Sequence, residues 1–294
     1  MQAQQPFPRV QAIPLQDDAV SFRVDDREVL RYNAGHGMFR PYLFPVIGPA
    51  GRYVTRMGHP HDPIGHRHHY SVWVAHHDVN GTDFWSDQDT AGKQVHRHIL
   101  AIEDGQDSAA IRVQIAWVAP DGKELLREER TYRLTGLGNG ERLIDIHLAL
   151  TPVDGPVTLG ATSFGFAAVR VAKTMTVKDG GGKIENSTGA VGEEAIFWKP
   201  AEWCDYSGQV APGEINGVTL MSHPSSPNHP PDWHVRSDGW MGACFSREGA
   251  YVLEANKTLT LRYAVYVHRG DAHQANVAER YRQFAASEFR ACEK

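Results

Sequence analysis

Residues 109–118 read AAIRVQIAWV. Ile111, Val113, Ile115 and Trp117 alternate with Arg112, Gln114 and Ala116, so one face of an extended chain is apolar over four repeats of a two-residue period. PDGK (120–123) follows as a turn signal, and LLREERTYRL (125–134) after it completes a long antiparallel hairpin. Working outward, LIDIHLAL (143–150), KTMTVKD (173–179) and TLTLRYAVYVH (258–268) show the same alternation, with Leu259, Leu261, Tyr263, Val265 and Val267 on one side of the last. Gly and Pro clusters punctuate these runs: GPAG, GLGNG, VDGP, DGGGK and PSSPNHPP. No helical pattern separates the strands, which argues against a parallel α/β sheet and for an all-β fold, a large antiparallel β-sandwich. At 294 residues and 32.7 kDa, with no internal repeat and no long linker, the chain reads as one sandwich domain over 1–294. Only DAHQANVAERYRQFAAS departs from this, with Val277, Tyr281 and Phe284 at helical spacing after a possible Asp271 cap, so a terminal helix is expected over 271–288.

Composition narrows the function classes. Lys plus Arg number 30 against 35 Asp plus Glu, a formal net charge of -5, which gives no general attraction to nucleic acid or to an anionic membrane. No apolar run approaches the roughly 20 residues that span a bilayer. Cys204, Cys244 and Cys292 are odd in number and widely spaced, which suits reduced thiols in a cytoplasmic protein. MQAQQPFPRV has neither the basic region nor the apolar stretch of a secretion signal, and a periplasmic or secreted location is open if a signal has been removed. There is no GxSxG elbow, no GxGxxG after a strand, no P-loop and no CxxC pair, so nucleotide cofactors and serine-hydrolase chemistry are not expected.

Nine of the 16 histidines lie between His59 and His98. From His59 to Arg67 two prolines and a glycine indicate a loop. From His68 the alternation Tyr70, Val72, Val74 reads as a strand, with His68 on that apolar side and His69, Ser71 and Trp73 on the other. Three readings stay open for these imidazoles: packing and hydrogen bonding alone, a divalent metal site using His59, His61 and His68, and acid/base work by a residue such as His69. A second polar cluster, SHPSSPNHPPDWHVRSDGW (222–240), places His234 and Arg236 on one face of a strand, an acid/base group beside a clamp for anions or hydroxyls. Arg170 interrupts the apolar strand FAAVRVA and must be paired, either structurally or with substrate. Trp73, Trp85, Trp203 and Trp233 stand close to Gly, Asp, Asn or His and are candidate platforms for a sugar ring.

FRPYLFPVIGPAGRYVTR (39–56), HHYSVWVAHHDVNGTDFW (68–85), AVRVA (168–172), GKIENSTG (182–189), AEWCDYSG (201–208) and DWHVRSDGW (232–240), taken together and in this order, resemble the bacterial PmoA-like family. Tyr70 departs from the pattern, where arginine is expected. The resemblance implies no methane oxygenase, since that enzyme subunit is a multi-helix membrane protein. It implies a galactose-mutarotase-like supersandwich, a fold used by sugar epimerases, glycoside hydrolases and polysaccharide lyases. The expectation is a carbohydrate-active enzyme taking a small glycoside or keto-sugar, either a hydrolase or lyase or a mutarotase or epimerase, with a non-catalytic sugar-binding sandwich as the alternative. His69 and His234 would move protons, Arg170 and Arg236 would bind substrate oxygens, and Trp73 or Trp233 would stack on the ring. Sequence leaves the oligomeric state open.

Overall fold

In the computed structural model, residues 7–58 and 66–293 are described. The strand Ser108–Val118 pairs antiparallel with Glu124–Gly136, Ile111 opposite Tyr132 and Ile115 opposite Glu128, as the alternation predicts. Both belong to an eight-stranded sheet running Lys183–Asn186, Trp203–Ala211, Glu214–Ser222, Leu259–Arg269, Arg142–Pro152, Glu124–Gly136, Ser108–Val118, Lys93–Glu103. A second eight-stranded sheet packs on it in the order Val10–Pro14, Val20–Val24, Arg27–Asn33, Tyr42–Val46, Val72–His76, Gly165–Arg170, Trp240–Cys244, Asp232–Arg236. All these pairings are antiparallel, and the core lies between the inner faces, where Ile111, Val113, Ile115, Trp117, Val169, Trp233 and Val265 are fully buried.

That core contains an ion pair. Period two places Glu128 and Arg130 on the same inward face as Leu126, Tyr132 and Leu134, and both charged side chains are completely buried. Every polar edge is answered: Arg130 donates to Glu128 at 2.5 and 2.8 Å, to Tyr132 Oη at 3.0 Å and to Gln94 Oε1 at 3.1 Å, while Trp117 Nε1 donates to Glu128 at 2.8 Å. Gln94 donates in turn to the carbonyl of Val74, tying the two sheets together.

Three local expectations are corrected. KTMTVKD is not a strand: Lys173–Met175 is a 3-10 turn and Val177–Gly180 a helical turn, because the Thr176 hydroxyl accepts from Asp179 N and caps it. The terminal helix occupies Val277–Ala286 and not all of 271–288. Asp271 instead closes a separate turn by accepting from Gln274 N, and Asn276 adopts a left-handed φ of 52° before the helix begins. Ser71 also has a left-handed φ, 61°, which breaks the period of the histidine strand; Tyr70 therefore packs against Tyr42 and donates to Asp87 at 2.6 Å instead of joining Val72 in the core.

Candidate active site

The outer face of the strands Val72–His76, Gly165–Arg170, Trp240–Cys244 and Asp232–Arg236 carries the site. Their register sets Trp73, Ala168, Gly242 and His234 side by side in one row, and Arg170, Trp240 and Arg236 in the next. The alternate residues Val72, Val169, Met241, Trp233 and Val235 point into the core. A Cβ on Gly242 would lie 3.2 Å from Cζ2 of Trp240, tighter than an ordinary contact, so the glycine leaves room for that indole over the sheet.

Trp240 is the hub. Its ring centroid is 5.3 Å from His69 and 3.8 Å from His234. The two imidazoles therefore sit on one shared indole, closer than the roughly 10 Å beyond which a single sugar ring could not bridge them to proton-transfer distance. Trp73 stacks on His69 at 5.1 Å and 25°, and Trp85 packs on Trp73 at 5.5 Å and on Trp240 at 5.8 Å. Phe164, Phe197 and Trp198 surround His234 at 5.6, 5.0 and 4.6 Å. A cleft of about 750 Å³, lined by Trp198, Asp232, Phe245 and Arg247 among others, opens beside this group.

Several polar atoms in this aromatic setting are buried without a hydrogen-bond partner: Nδ1 of His69, Nε2 of His234, and Nε1 of both Trp73 and Trp240. Burying an unsatisfied donor or acceptor costs about 1–3 kcal/mol each, so four in one cluster concentrate unmet hydrogen-bonding capacity at this point of the sheet. The His234 tautomer follows from its other nitrogen. Nδ1 lies 3.2 Å from the carbonyl oxygen of Ser163, which can only accept, so Nδ1 carries the proton and Nε2 presents a lone pair. Burial pushes His234 down to about 4, so the imidazole is uncharged near neutral pH. His69 is driven well below its ordinary value by burial first and by His68 and Arg170 next, and burial takes His68 to about 4.

The predicted arginines are both engaged by carboxylates. Arg170, fully buried, donates to both oxygens of Asp238 at 2.8 and 3.2 Å, and Asp238 also lies 3.5 Å from His66 Nδ1. Burial opposes charge on Asp238, yet His66 and Arg170 hold its carboxyl down at about 2. Arg236 donates to Glu193 at 2.8 Å at the exposed edge, its guanidinium over the Phe197 ring. Of the predicted platforms, Trp73 and Trp85 are in the cluster. Trp233 is not: strand parity turns it into the core, where its Nε1 donates to Ala201 O at 2.8 Å. Trp203 packs instead under the terminal helix with Met221, Tyr281 and Phe284. Of the proposed metal ligands His68 is placed, 6.3 Å from Trp85 by ring centroids, whereas His59 and His61 lie outside the described residues. Among the described residues no group of three His, Cys, Asp or Glu side chains is arranged to hold a metal ion.

Sequence reading did not assign Trp240, Asp238 or Phe164 to the site. A signal for Trp240 was present: Ser237-Asp238-Gly239 makes a tight turn, with Gly239 at φ 104°, and a turn of that length sets Trp240 opposite Arg236 and on the His234 face.

A model of a family of unknown function, DUF6807, matches residues 19–282. The chain belongs to this family. It is DUF6807, and not the PmoA-like family of the motif resemblance, that the match supports. No curated protein matches the DUF6807 chain. Similar solved structures include heparan sulfate lyase HepC from Pedobacter heparinus, with 11% identity over 91% of this chain and 38% of that one and a TM-score of 0.43. Another is a GalM/aldose epimerase homologue from C. elegans, with 9% identity over 90% of this chain and 100% of that one and a TM-score of 0.37. The DUF6807 chain thus spans 38% of the lyase. No helix among the described residues is long and apolar enough to cross a membrane.

Proposed function

We infer that this protein is a carbohydrate-active enzyme whose base is His234. The observation that carries the reading is the sealed, unpartnered Nε2 of His234 beside the equally unpartnered Nε1 of Trp240, an acceptor and a donor on touching rings. Both atoms are covered in the free protein, so substrate reaches them only as the covering rings move aside; a sugar oxygen then accepts from the indole while a neighbouring C–H or O–H faces the imidazole lone pair. Trp73 Nε1 and His69 Nδ1 add further unpartnered polar atoms to the cluster. With Arg170 and Arg236 closed by Asp238 and Glu193, polarising a substrate carbonyl falls to the indole N–H groups. Removal of a proton next to a keto group fits this set: the proton goes to His234 Nε2, the electron pair moves into an enolate, and its oxygen is held by N–H donors.

A second reading has its own observation. Asp232 lies on the same strand face as His234, two residues away, and burial raises its carboxyl above the usual range. A carboxyl that burial biases toward its protonated form and an uncharged imidazole two residues away form an acid/base pair of the kind a mutarotase or epimerase uses. A divalent ion at His59, His61 and His68 is a further proposal, which metal analysis of protein purified without a histidine tag checks. The experiment for the main reading is a screen of glycosides and keto-glycosides followed by mass spectrometry, which separates hydrolysis and elimination from mass-neutral epimerisation. His234→Ala abolishes turnover with its fold intact; full activity in that variant sinks the assignment.

A further inference from the structure

A cavity of about 740 Å³ sits where the ends of the two sheets meet, sharing no residue with the imidazole cluster. Its wall comes from Arg27–Val29 and the turn before it, from Ile47–Gly51 and from the glycine-rich hairpin tip 136–142. Arg142 lines it. The Nη1 of this residue donates to the carbonyl of Ile47 at 2.5 Å, and among the described residues no carboxylate lies within 4 Å of its guanidinium. Among the described residues its Nε and Nη2 have no hydrogen-bond partner, and neither is sealed from solvent.

The acidic residues of the same wall are already engaged. Glu28 accepts from Ser21 and from Arg31 at 2.6 to 3.0 Å, Glu141 accepts from Tyr266 Oη at 2.7 Å and Arg269 N at 3.2 Å, and Asp25 lies 3.5 Å from Arg9. Arg27, exposed, adds a further cation. The rim is built rather than incidental: Arg269 donates to Asn139 O and to Pro49 O, both at 3.2 Å, joining the hairpin tip of one sheet to the loop of the other. Burial without a compensating carboxylate pulls Arg142 down to about 10, whereas the buried Arg130, held by Glu128, is raised. A half-buried guanidinium with one edge on a carbonyl and the other open is short of one anion.

We propose that this cavity is an oxyanion site, taking a carboxylate, sulfate or phosphate group on the open Nε/Nη2 edge of Arg142, with Arg27 as the second cation. The assignment does not depend on the reaction at His234. Calorimetric titration at low ionic strength with glucuronate, inorganic sulfate and inorganic phosphate tests it and distinguishes the three chemistries. At least one binds the parent with Kd below about 1 mM. Arg142→Gln weakens that ligand at least tenfold, and Arg142→Lys, which keeps the charge and can still reach Ile47 O, weakens it several-fold through loss of the fork. His234→Ala and the exposed Arg127→Gln bind as the parent does. Binding by none of the three anions, or equal binding by folded Arg142→Gln or Arg142→Lys, overturns the proposal.

Discussion

Acidification from pH 7.5 to pH 5 will destabilise this protein through its buried neutral histidines. His76 is fully buried, with Nδ1 accepting from Asp78 N and Nε2 against Ser246 Oγ at 2.9 Å, and burial holds it at about 4. His234 is 5% exposed and also held at about 4. In the unfolded chain both titrate near 6.5. Between those values the unfolded state binds more protons than the native state, so stability falls as pH falls, starting near 6.5 and levelling off below 4. At pH 5 the difference is about 2 kcal/mol for each ring, about 4 kcal/mol for the pair, against a total stability of about 5–15 kcal/mol. His69 acts in the same direction. His268 acts in the opposite one: burial opposes its charge, but Asp205 at 2.8 Å raises it, so its stabilisation is present below its ordinary value and lost as pH rises through the raised one. Asp238, held at about 2, matters only below about pH 4. Urea unfolding followed by circular dichroism at pH 7.5, 6.5, 5.5 and 5.0 measures the slope. A free energy constant to within about 1 kcal/mol across that range refutes the claim that these rings are buried uncharged.

Four substitutions probe the packing. Glu128→Gln leaves the fully buried Arg130 without its counter-charge and lowers unfolding free energy by about 3–5 kcal/mol, read by urea titration. Phe284→Ala removes the ring, 2% exposed, that lies against Arg262 and His223 and anchors the terminal helix; a loss of about 3–5 kcal/mol is expected in the same assay. Gly217→Ala puts a methyl 2.1 Å from the buried His268 ring and destabilises by at least about 1–3 kcal/mol, whereas Gly249→Ala, with nothing within 4 Å, leaves the melting temperature unchanged.

The sandwich was legible because its strands alternate so regularly: AAIRVQIAWV names its own buried face, and every residue called apolar there is in the core. The site was legible by parity where parity held. His234 and Arg236 share a face, and Trp233, offered as a platform beside them, faces the core for the same reason. Parity misled where the backbone left the extended region, since one left-handed residue, Ser71, turns Tyr70 out of the core. The partners of the arginines were not readable because Asp238 and Glu193 meet them from turns far along the chain, and no local period encodes that meeting. Trp203 was misplaced because its neighbours, the terminal helix residues Tyr281 and Phe284, lie some 80 residues away in sequence.

The central claim, that the His234 Nε2 lone pair takes a proton from carbon next to a sugar carbonyl, is most directly tested by solvent exchange. Parent and His234→Ala are incubated with a keto-glycoside substrate in D₂O, and deuterium in recovered substrate and product is located by NMR. The account predicts enzyme-dependent deuterium at the position next to the carbonyl with the parent, and none with folded His234→Ala. Turnover by the parent without any such deuterium, or incorporation undiminished in His234→Ala, contradicts it.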